Sequence, residues 1–97
     1  MVLLRHMLGE VLRDYRLVKG MTLRDVSAKA GVALGYLSEI ELGKKEASSE
    51  FLFYIAGALG VGLSELLIET GARLASYETP QTITIPDTIP EDFFSRR

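Results

Sequence analysis

Apolar side chains in residues 4–19 recur three and four positions apart, which is the spacing of one face of an α-helix. Gly20 directly follows this run, and glycine readily adopts the left-handed conformation at which many helices end. The segment is therefore predicted to form an amphipathic helix that stops at Gly20. The apolar positions on its inner face are Leu4, Leu8, Val11, Leu12, Tyr15 and Val18.

Two short helices are predicted after this turn. Thr22, with Asp25 three positions later, has the pattern of a capping box, which places the start of the second helix after Thr22. Gly31 marks the end of that helix, and a third helix begins shortly afterwards and closes at Gly43. The residues expected to face inward are Leu23, Val26, Ala30, Leu37 and Ile40.

The pattern continues with two further helices. Ser48 or Ser49 can cap a fourth helix, in whose first turn Glu50 suits the positive end of the helix dipole. After a glycine-rich turn, a fifth helix is predicted from Leu63 to about Ser76. Five short helices with short connections predict an all-α fold. The inner positions of the fourth helix are Leu52, Ile55, Ala56 and Leu59.

The chain changes character after Ser76. Three prolines between positions 80 and 90 exclude a continuous helix, and residues 82–85 alternate between polar and apolar like a short strand. A lone strand in an all-α protein must pair with another chain, pack as an extended arm or be disordered. We therefore divide the chain into a helical domain, residues 1–76, and an extended C-terminal arm, residues 77–97, for which dimerisation is a candidate role.

The composition indicates an ordinary globular protein of one domain, with 97 residues and 47% hydrophobic positions. The absence of cysteine excludes a disulfide framework, and no apolar run is long enough to span a membrane, so the expected location is the cytoplasm. The net charge of −2 conceals an asymmetry. Residues 1–45 hold eight basic and five acidic residues, a balance of +3, whereas residues 46–97 hold three basic and eight acidic residues, a balance of −5. Phosphate binding responds to a local basic patch, so a nucleic-acid partner is compatible with this charge.

Catalysis is not expected of this chain. It has no cysteine, no phosphate-binding loop and no carboxylate pair that the predicted helices would bring together in a cleft. His6 is the only histidine and has no second ligand candidate, so it is interpreted as a surface residue near the chain end. No catalytic residue, metal ligand, cofactor or small-molecule ligand is therefore assigned.

Residues 23–42 meet the steric requirements of two helices that cross at a tight turn. The first helix must bury its fourth and eighth residues and keep its fifth small, and Val26, Ala30 and Ser27 occupy these positions. The turn must open with a residue that accepts a positive φ, and Gly31 does so. Together these offsets predict a helix-turn-helix. The apolar residues that complete the pattern are Val32, Leu37 and Ile40.

Residues 8–68 resemble the lambda-repressor/Cro-like family of helix-turn-helix domains, also called the xenobiotic-response-element (XRE) family. The resemblance lies in the stretches TLRDVSAKAGV, GYLSEIELGKK and IAGALGVGLSELL. It implies a five-helix DNA-binding domain with its third helix in the major groove, and usually a homodimer on a two-fold operator. The segment LGYLSEIELGKKEASSE is similar to the actinobacterial regulators of Clp protease genes. This similarity implies control of protease or stress genes, with RNA polymerase as a further candidate partner.

Residues that read bases in better-known members of this family are replaced here. Such members often carry Gln at the start of the second helix and at the second residue of the third, where this chain has Leu23 and Leu34. Leu42 stands where Arg or Asn is common. Leu34 can touch a thymine methyl or pack against the second helix, and Gly35 permits a close approach to the bases. The residues assigned to the DNA contact are Thr22, Leu23, Arg24, Ala33, Leu34, Gly35, Tyr36, Ser38, Glu39, Lys44 and Lys45.

Several of these assignments have a plain structural alternative. Glu39 can accept a hydrogen bond from cytosine N4 or remain a solvated surface residue, and the Tyr36 hydroxyl can reach a phosphate or the ring can simply pack. Arg24, Lys44 and Lys45 flank the third helix, where they are expected to bind phosphates unless they are ordinary surface cations.

The resemblance also assigns a structural role to Arg16 and Glu41. They match a pair that ties the first helix to the third in this family. A paired charge beneath the third helix sets the tilt of that helix and does not read sequence.

The fourth and fifth helices carry more large apolar residues than one inner stripe can bury, because Leu52 and Ile55 already face inward. The excess predicts either additional core or an exposed apolar patch of the kind that marks an interface. We expect a homodimer formed through this patch and the C-terminal arm. The residues assigned to the dimer interface are Phe51, Phe53, Tyr54, Leu63, Leu67, Leu74, Ile83 and Ile85.

The sequence favours a transcription regulator that binds a double-stranded DNA operator and acts at the nucleoid. The alternative is a protein-binding module on the same fold, such as an antitoxin whose acidic tail covers a toxin. The two interpretations differ in the role of the arm, because residues 77–97 can be a partner-binding segment that folds on contact.

Overall fold

The structure is a computed structural model that describes residues 2–78. These residues form five helices, so the predicted all-α, five-helix fold is confirmed. Tyr77 ends the last helix, and the remaining part of the predicted arm, residues 79–97, lies outside the described residues. The helices are α1 (Leu4–Val18), α2 (Leu23–Ala30), α3 (Leu34–Glu41), α4 (Ser49–Leu59) and α5 (Leu63–Tyr77).

Local side-chain hydrogen bonds define where α2 and α4 begin. The Asp25 amide donates to the Thr22 hydroxyl at 3.0 Å, and the Thr22 amide donates to the Asp25 carboxylate at 2.8 Å, which completes the predicted capping box. The hydrogen bonds from Thr22 hold the pKa of Asp25 below its ordinary value. Ser48, and not Ser49, caps α4, because its hydroxyl accepts from the Phe51 amide at 3.2 Å.

The core forms where α1 packs between α3 and α5 and where α4 covers α2. Because α1 has neighbours on two sides, its buried arc is wider than the predicted stripe and includes Met7 and Gly9. The prediction was wrong for Leu4 and Val18, which are 57% and 83% exposed, since each lies at an end of α1 beyond the core. The buried cluster consists of Leu8, Val11, Leu12, Val26, Ala30, Val32, Leu37, Ile40, Ile55, Ala56, Leu59 and Leu66.

The turn between α2 and α3 has the conformation that the sequence requires. Gly31 adopts a φ of 68° and a ψ of 31°, in the left-handed region where a side chain would be strained. Ser27 closes the turn, because its hydroxyl donates to the Val32 carbonyl and its own carbonyl accepts from the amides of Gly31 and Val32. The turn therefore brings the beginnings of α2 and α3 to the same side of the domain.

An ion pair joins the last turn of α3 to α1. The Arg16 guanidinium donates from Nε to Glu41 Oε2 at 2.8 Å and from Nη2 to Glu41 Oε1 at 3.0 Å. Its Nη1 donates to the Met21 carbonyl at 3.0 Å. The two side chains are only 11% and 6% exposed, so water screens their attraction weakly. The hydrogen bonds to Glu41 raise the pKa of Arg16 above its ordinary value.

A second contact between the same helices depends on the missing side chain of Gly9. A Cβ at this position would lie 2.5 Å from the Ile40 carbonyl oxygen and 2.6 Å from the Glu41 carbonyl oxygen. Both oxygens belong to backbone that helix hydrogen bonds and the Arg16–Glu41 pair hold in place. The end of α3 can approach α1 this closely only at a glycine.

We expect Gly9→Ala to lower the free energy of unfolding by about 1–3 kcal/mol, because the added methyl group overpacks the α1–α3 contact. The matched control is Gly71→Ala in α5, where no described atom lies within 4 Å of the place of the Cβ. Relief of the helix penalty of glycine should make that control more stable by about 0.5–1 kcal/mol. Urea unfolding followed by circular dichroism measures both, and equal stabilisation of the two variants would contradict the close contact at Gly9.

Candidate nucleic-acid interface

The beginnings of α2 and α3 lie side by side and form one shallow, open groove. Its walls come from two segments of the sequence, the first turn of α2 with its cap and the first half of α3. The helix-turn-helix crossing brings these segments together, because the left-handed Gly31 turn redirects the chain so that α3 crosses α2. Of the residues assigned to the DNA contact, those that line this groove are Thr22, Leu23, Arg24, Leu34, Gly35 and Ser38.

The outer face of α3 is polar or bare. Leu37 and Ile40 point into the core, and Gly35, Ser38 and Glu39 lie on the opposite side of the helix by its 3.6-residue period. Gly35 is exposed, and no described atom lies within 4 Å of the place its Cβ would take. A ligand could therefore approach the α3 backbone closely at this point.

Three further residues complete the exposed surface at α3. Ala33 is exposed as the N-cap of the helix, and Leu34 is half-buried at the wall of the groove. Leu42, which directly follows α3, is 64% exposed and continues the outer face one turn beyond Ser38. Leu42 was not assigned to the DNA contact from the sequence, although extending the helical projection of α3 by one residue places it on the outer face.

Two residues assigned to the DNA contact also pack against other residues of this chain. Leu23 and Tyr36 both pack against the buried cluster. The Tyr36 ring meets Phe51 edge-on, with centroids 5.3 Å apart and an interplanar angle of 68°, and its hydroxyl donates to the Glu46 carbonyl at 2.9 Å. Of the two interpretations of Tyr36, the structure provides the packing contact.

The three flanking cations lie at both ends of the groove. Arg24 is exposed on α2, while Lys44 and Lys45 are exposed in the loop that follows α3. Lys45 Nζ lies 3.9 Å from the Glu39 carboxylate. Both partners are well exposed, so this pair contributes little to stability and can open when a stronger ligand arrives.

The apolar residues assigned to a dimer interface divide into two groups. Phe53, Tyr54 and Leu67 are exposed, and the rings of the first two meet edge-on with centroids 6.0 Å apart. Leu63 packs against the core of its own chain, Leu74 is half-buried, and Phe51 is only partly exposed beside Tyr36. Ile68, which the sequence analysis did not assign, is 73% exposed on α5. Ile83 and Ile85 lie outside the described residues.

Two features are absent from residues 2–78, a cluster of possible metal ligands and a single helix that could cross a membrane. That part of the chain contains no group of three or more His, Cys, Asp or Glu side chains placed to hold a metal ion. No single helix in it is long and apolar enough to cross a membrane. The helices α4 and α5 reach that length and apolarity only as a pair, which is bent by 100°.

Comparison with known proteins identifies the family. The sequence profile of a helix-turn-helix family matches residues 12–66. The chain is 54% identical over 76 residues to the transcriptional regulator ClgR of Mycobacterium tuberculosis, a match that covers 78% of this chain and 68% of that protein. It is 39% identical over 64 residues to the regulator SinR of Bacillus subtilis, covering 65% of this chain and 58% of SinR.

A solved structure agrees with the sequence comparison. The crystal structure of the clp gene regulator ClgR from Corynebacterium glutamicum superimposes with a TM-score of 0.75 at 45% identity, covering 78% of this chain and 81% of that one. The family profile spans more than half of the 97 residues and includes all of α2, α3 and α4. The chain therefore belongs to the helix-turn-helix family, in its lambda-repressor-like (XRE-type) branch, and is a DNA-binding transcription regulator.

Proposed function

We propose that this chain controls the transcription of Clp protease genes by binding, as a homodimer, to an operator with two-fold symmetry. The target genes are suggested by the related regulator from Corynebacterium glutamicum, which is described as a clp gene regulator. One observation carries the DNA contact: the bare outer face of α3 lies beside the capped beginning of α2, with exposed cations at either side.

The geometry suits insertion of α3 into the major groove, which admits one α-helix. Gly35 allows the α3 backbone to approach the base edges, and Ser38 and Glu39 offer a hydroxyl and a carboxylate to them. Thr22 and Arg24 at the start of α2 lie where the duplex backbone would pass, and the helix dipole there favours a phosphate. In this arrangement Lys44 and Lys45 bind phosphates beyond the other end of α3. Ala33 and Leu34 make apolar contacts with bases in this arrangement, and Leu23 lies at the edge of the DNA contact.

The protein-binding alternative is not favoured by the comparisons, which identify transcription regulators. A regulator that binds near a promoter acts at the nucleoid in the cytoplasm and can also meet RNA polymerase there. Contact with RNA polymerase and action at the nucleoid are therefore part of the proposed function.

The proposed dimer interface is the exposed apolar surface of α4 and α5. It consists of Phe53 and Tyr54 on α4 with Leu67 and Ile68 on α5, and we call it the α4–α5 patch. Exposure to water of four large apolar side chains on two consecutive helices favours an interface. We retain Phe51, Leu63, Leu74, Ile83 and Ile85 as flanking candidates that a second chain would cover further.

Selection of bound sequences from random DNA tests the proposed function directly. We expect a single enriched motif with two-fold symmetry and half-site centres about one helical turn apart. Enrichment of no motif, or of one without symmetry, would contradict a homodimer that reads an operator. The selected sequence then serves as the probe in the experiments below.

Gly35→Ala tests the contact between α3 and the bases. The added methyl group meets no described atom of the protein, so the variant should be as stable as Gly71→Ala or nearly so. It should nevertheless weaken binding to the selected operator by about 1–3 kcal/mol, with little change on random DNA, because it holds α3 away from the base edges. Fluorescence anisotropy measures both affinities. If Gly35→Ala and Gly71→Ala bind the operator alike, Gly35 does not face the bases.

Removal of the flanking cations tests the phosphate contacts. We expect Arg24→Ala, Lys44→Ala and Lys45→Ala each to weaken binding to all sequences by a similar factor. The slope of log affinity against log salt concentration should become shallower by about one unit per residue removed. The matched control is Lys19→Ala, an exposed cation whose Nζ lies beside Gly60 at the turn between α4 and α5. An unchanged slope for all three variants would refute the phosphate role.

Introduction of a charge into the α4–α5 patch tests the dimer. We expect Phe53→Glu to convert the protein to a monomer at low micromolar concentration and to weaken operator binding, while helical circular dichroism is retained. Leu17→Glu is the matched control, because Leu17 is also about half exposed but lies on α1. Sedimentation that leaves Phe53→Glu dimeric would exclude this patch. A chain truncated after Ser76 measures the contribution of residues 77–97 in the same assay.

A further inference from the structure

The loop between α3 and α4 carries two of the proposed phosphate ligands, and it is attached to α3 through Tyr36. We propose that Tyr36 is a positioning residue: its hydroxyl fixes this loop, residues 42–48, and so places Lys44 and Lys45 relative to the outer face of α3. This inference rests on the proposed function, since it concerns how the phosphate ligands of that site are held.

The first half of the loop is fixed by backbone hydrogen bonds to α3. The Gly43 amide donates to the Ile40 carbonyl at 3.0 Å, and the Lys44 amide donates to the Glu39 carbonyl at 2.9 Å. These are the two bonds of a Schellman motif, and they require the left-handed φ of 73° that Gly43 adopts. The backbone is therefore held to the last turn of α3 as far as the Lys44 amide, and the loop beyond that amide needs a further anchor.

The second half of the loop is held by side chains. The Tyr36 hydroxyl donates to the Glu46 carbonyl at 2.9 Å, and the Tyr36 ring is itself braced edge-on by Phe51 of α4. Arg5 Nη1 lies 3.6 Å from the Glu46 carboxylate, but Glu46 is 79% exposed, so this ion pair is weak. Lys45 therefore lies in the loop between the Schellman motif, which ends at Lys44, and Glu46, whose carbonyl accepts the hydrogen bond from Tyr36.

The hydrogen bond from Tyr36 to Glu46 determines how Tyr36 can affect DNA binding. A hydroxyl has one proton, and that of Tyr36 is donated to the Glu46 carbonyl, so the same proton is not free for a phosphate oxygen. A loop that is ordered before binding loses less conformational entropy when its lysines meet phosphates. Tyr36 therefore acts on DNA affinity through the two lysines and not through a contact of its own.

A double-mutant cycle separates these two roles. Tyr36→Phe removes the hydroxyl and keeps the ring against Phe51. In the full chain we expect it to raise the Kd for operator DNA about threefold to tenfold, the range expected from the loss of one hydrogen bond. In a chain that already carries Lys44→Ala and Lys45→Ala, the same substitution should change the Kd by less than about twofold, because the residues it positions are absent.

Backbone NMR order parameters of the free protein provide an independent measurement. Tyr36→Phe should lower the order parameters at residues 45–47 without DNA, where the loop loses its anchor, and leave those of α3 unchanged. Tyr15→Phe is the matched control, since it also removes a tyrosine hydroxyl with one hydrogen bond inside the chain, to the Glu65 carboxylate at 3.1 Å. It should alter neither the order parameters of the loop nor the Kd.

The outcomes separate this inference from the function on which it rests. Full additivity in the cycle would show that Tyr36 touches DNA itself, and unchanged order parameters in the loop would show that it does not anchor the loop; either result overturns the positioning role alone. If Lys44→Ala and Lys45→Ala leave the Kd unchanged, the phosphate contacts of the proposed function fail, and the positioning role fails with them.

Discussion

The buried ion pair between Arg16 and Glu41 is the interaction on which the placement of α3 depends. It is bidentate and nearly excluded from water, and it joins residues that are 25 positions apart in the sequence. Loss of one partner would leave a charge unpaired in the protein, which is why such a pair constrains geometry more than it adds net stability. The close contact at Gly9 acts at the same turn of α3, and the two together define how far its outer face extends from the domain.

Core packing of α3 and polar contacts between α1 and α5 also support the position of α3. Leu37 and Ile40 anchor α3 in the core, and α1 in turn is tied to α5 by polar contacts at the surface. Arg73 bridges the Asp14 carboxylate at 2.6 Å and the Glu69 carboxylate at 3.0 Å, which raises the pKa of Arg73 above its ordinary value. The side of α3 away from the core carries Gly35, Ser38 and Glu39, which do not belong to the buried cluster. A helix held so firmly on one side can present a bare surface on the other without losing its position.

Much of this arrangement could be predicted from the sequence because its causes are local. The capping box at Thr22, the cap at Ser48 and the left-handed turn at Gly31 each depend on residues at most five positions apart, and the structure contains all three. Six of the residues assigned to the DNA contact line one groove in the structure, because the helix-turn-helix crossing brings the beginnings of α2 and α3 together. Their contact with DNA remains a prediction. The apolar spacing was misleading where burial depends on a distant neighbour: Val18 repeats the apolar spacing of α1 but is 83% exposed, whereas Met7 lies outside the predicted stripe and is buried.

The sequence by itself determined the five helices, their ends and the family to which the chain belongs, because helix periodicity and capping are properties of short segments. Only the tertiary structure decided which apolar residues of α4 and α5 remain exposed, and where the Tyr36 hydroxyl is directed. Leu63 and Leu67 lie four positions apart on α5, so helix periodicity alone does not distinguish them. Leu63 nevertheless packs on the core, whereas Leu67 is exposed. The difference arises because burial depends on which helices lie opposite a side chain, and that is fixed by crossings between segments that are far apart in the chain.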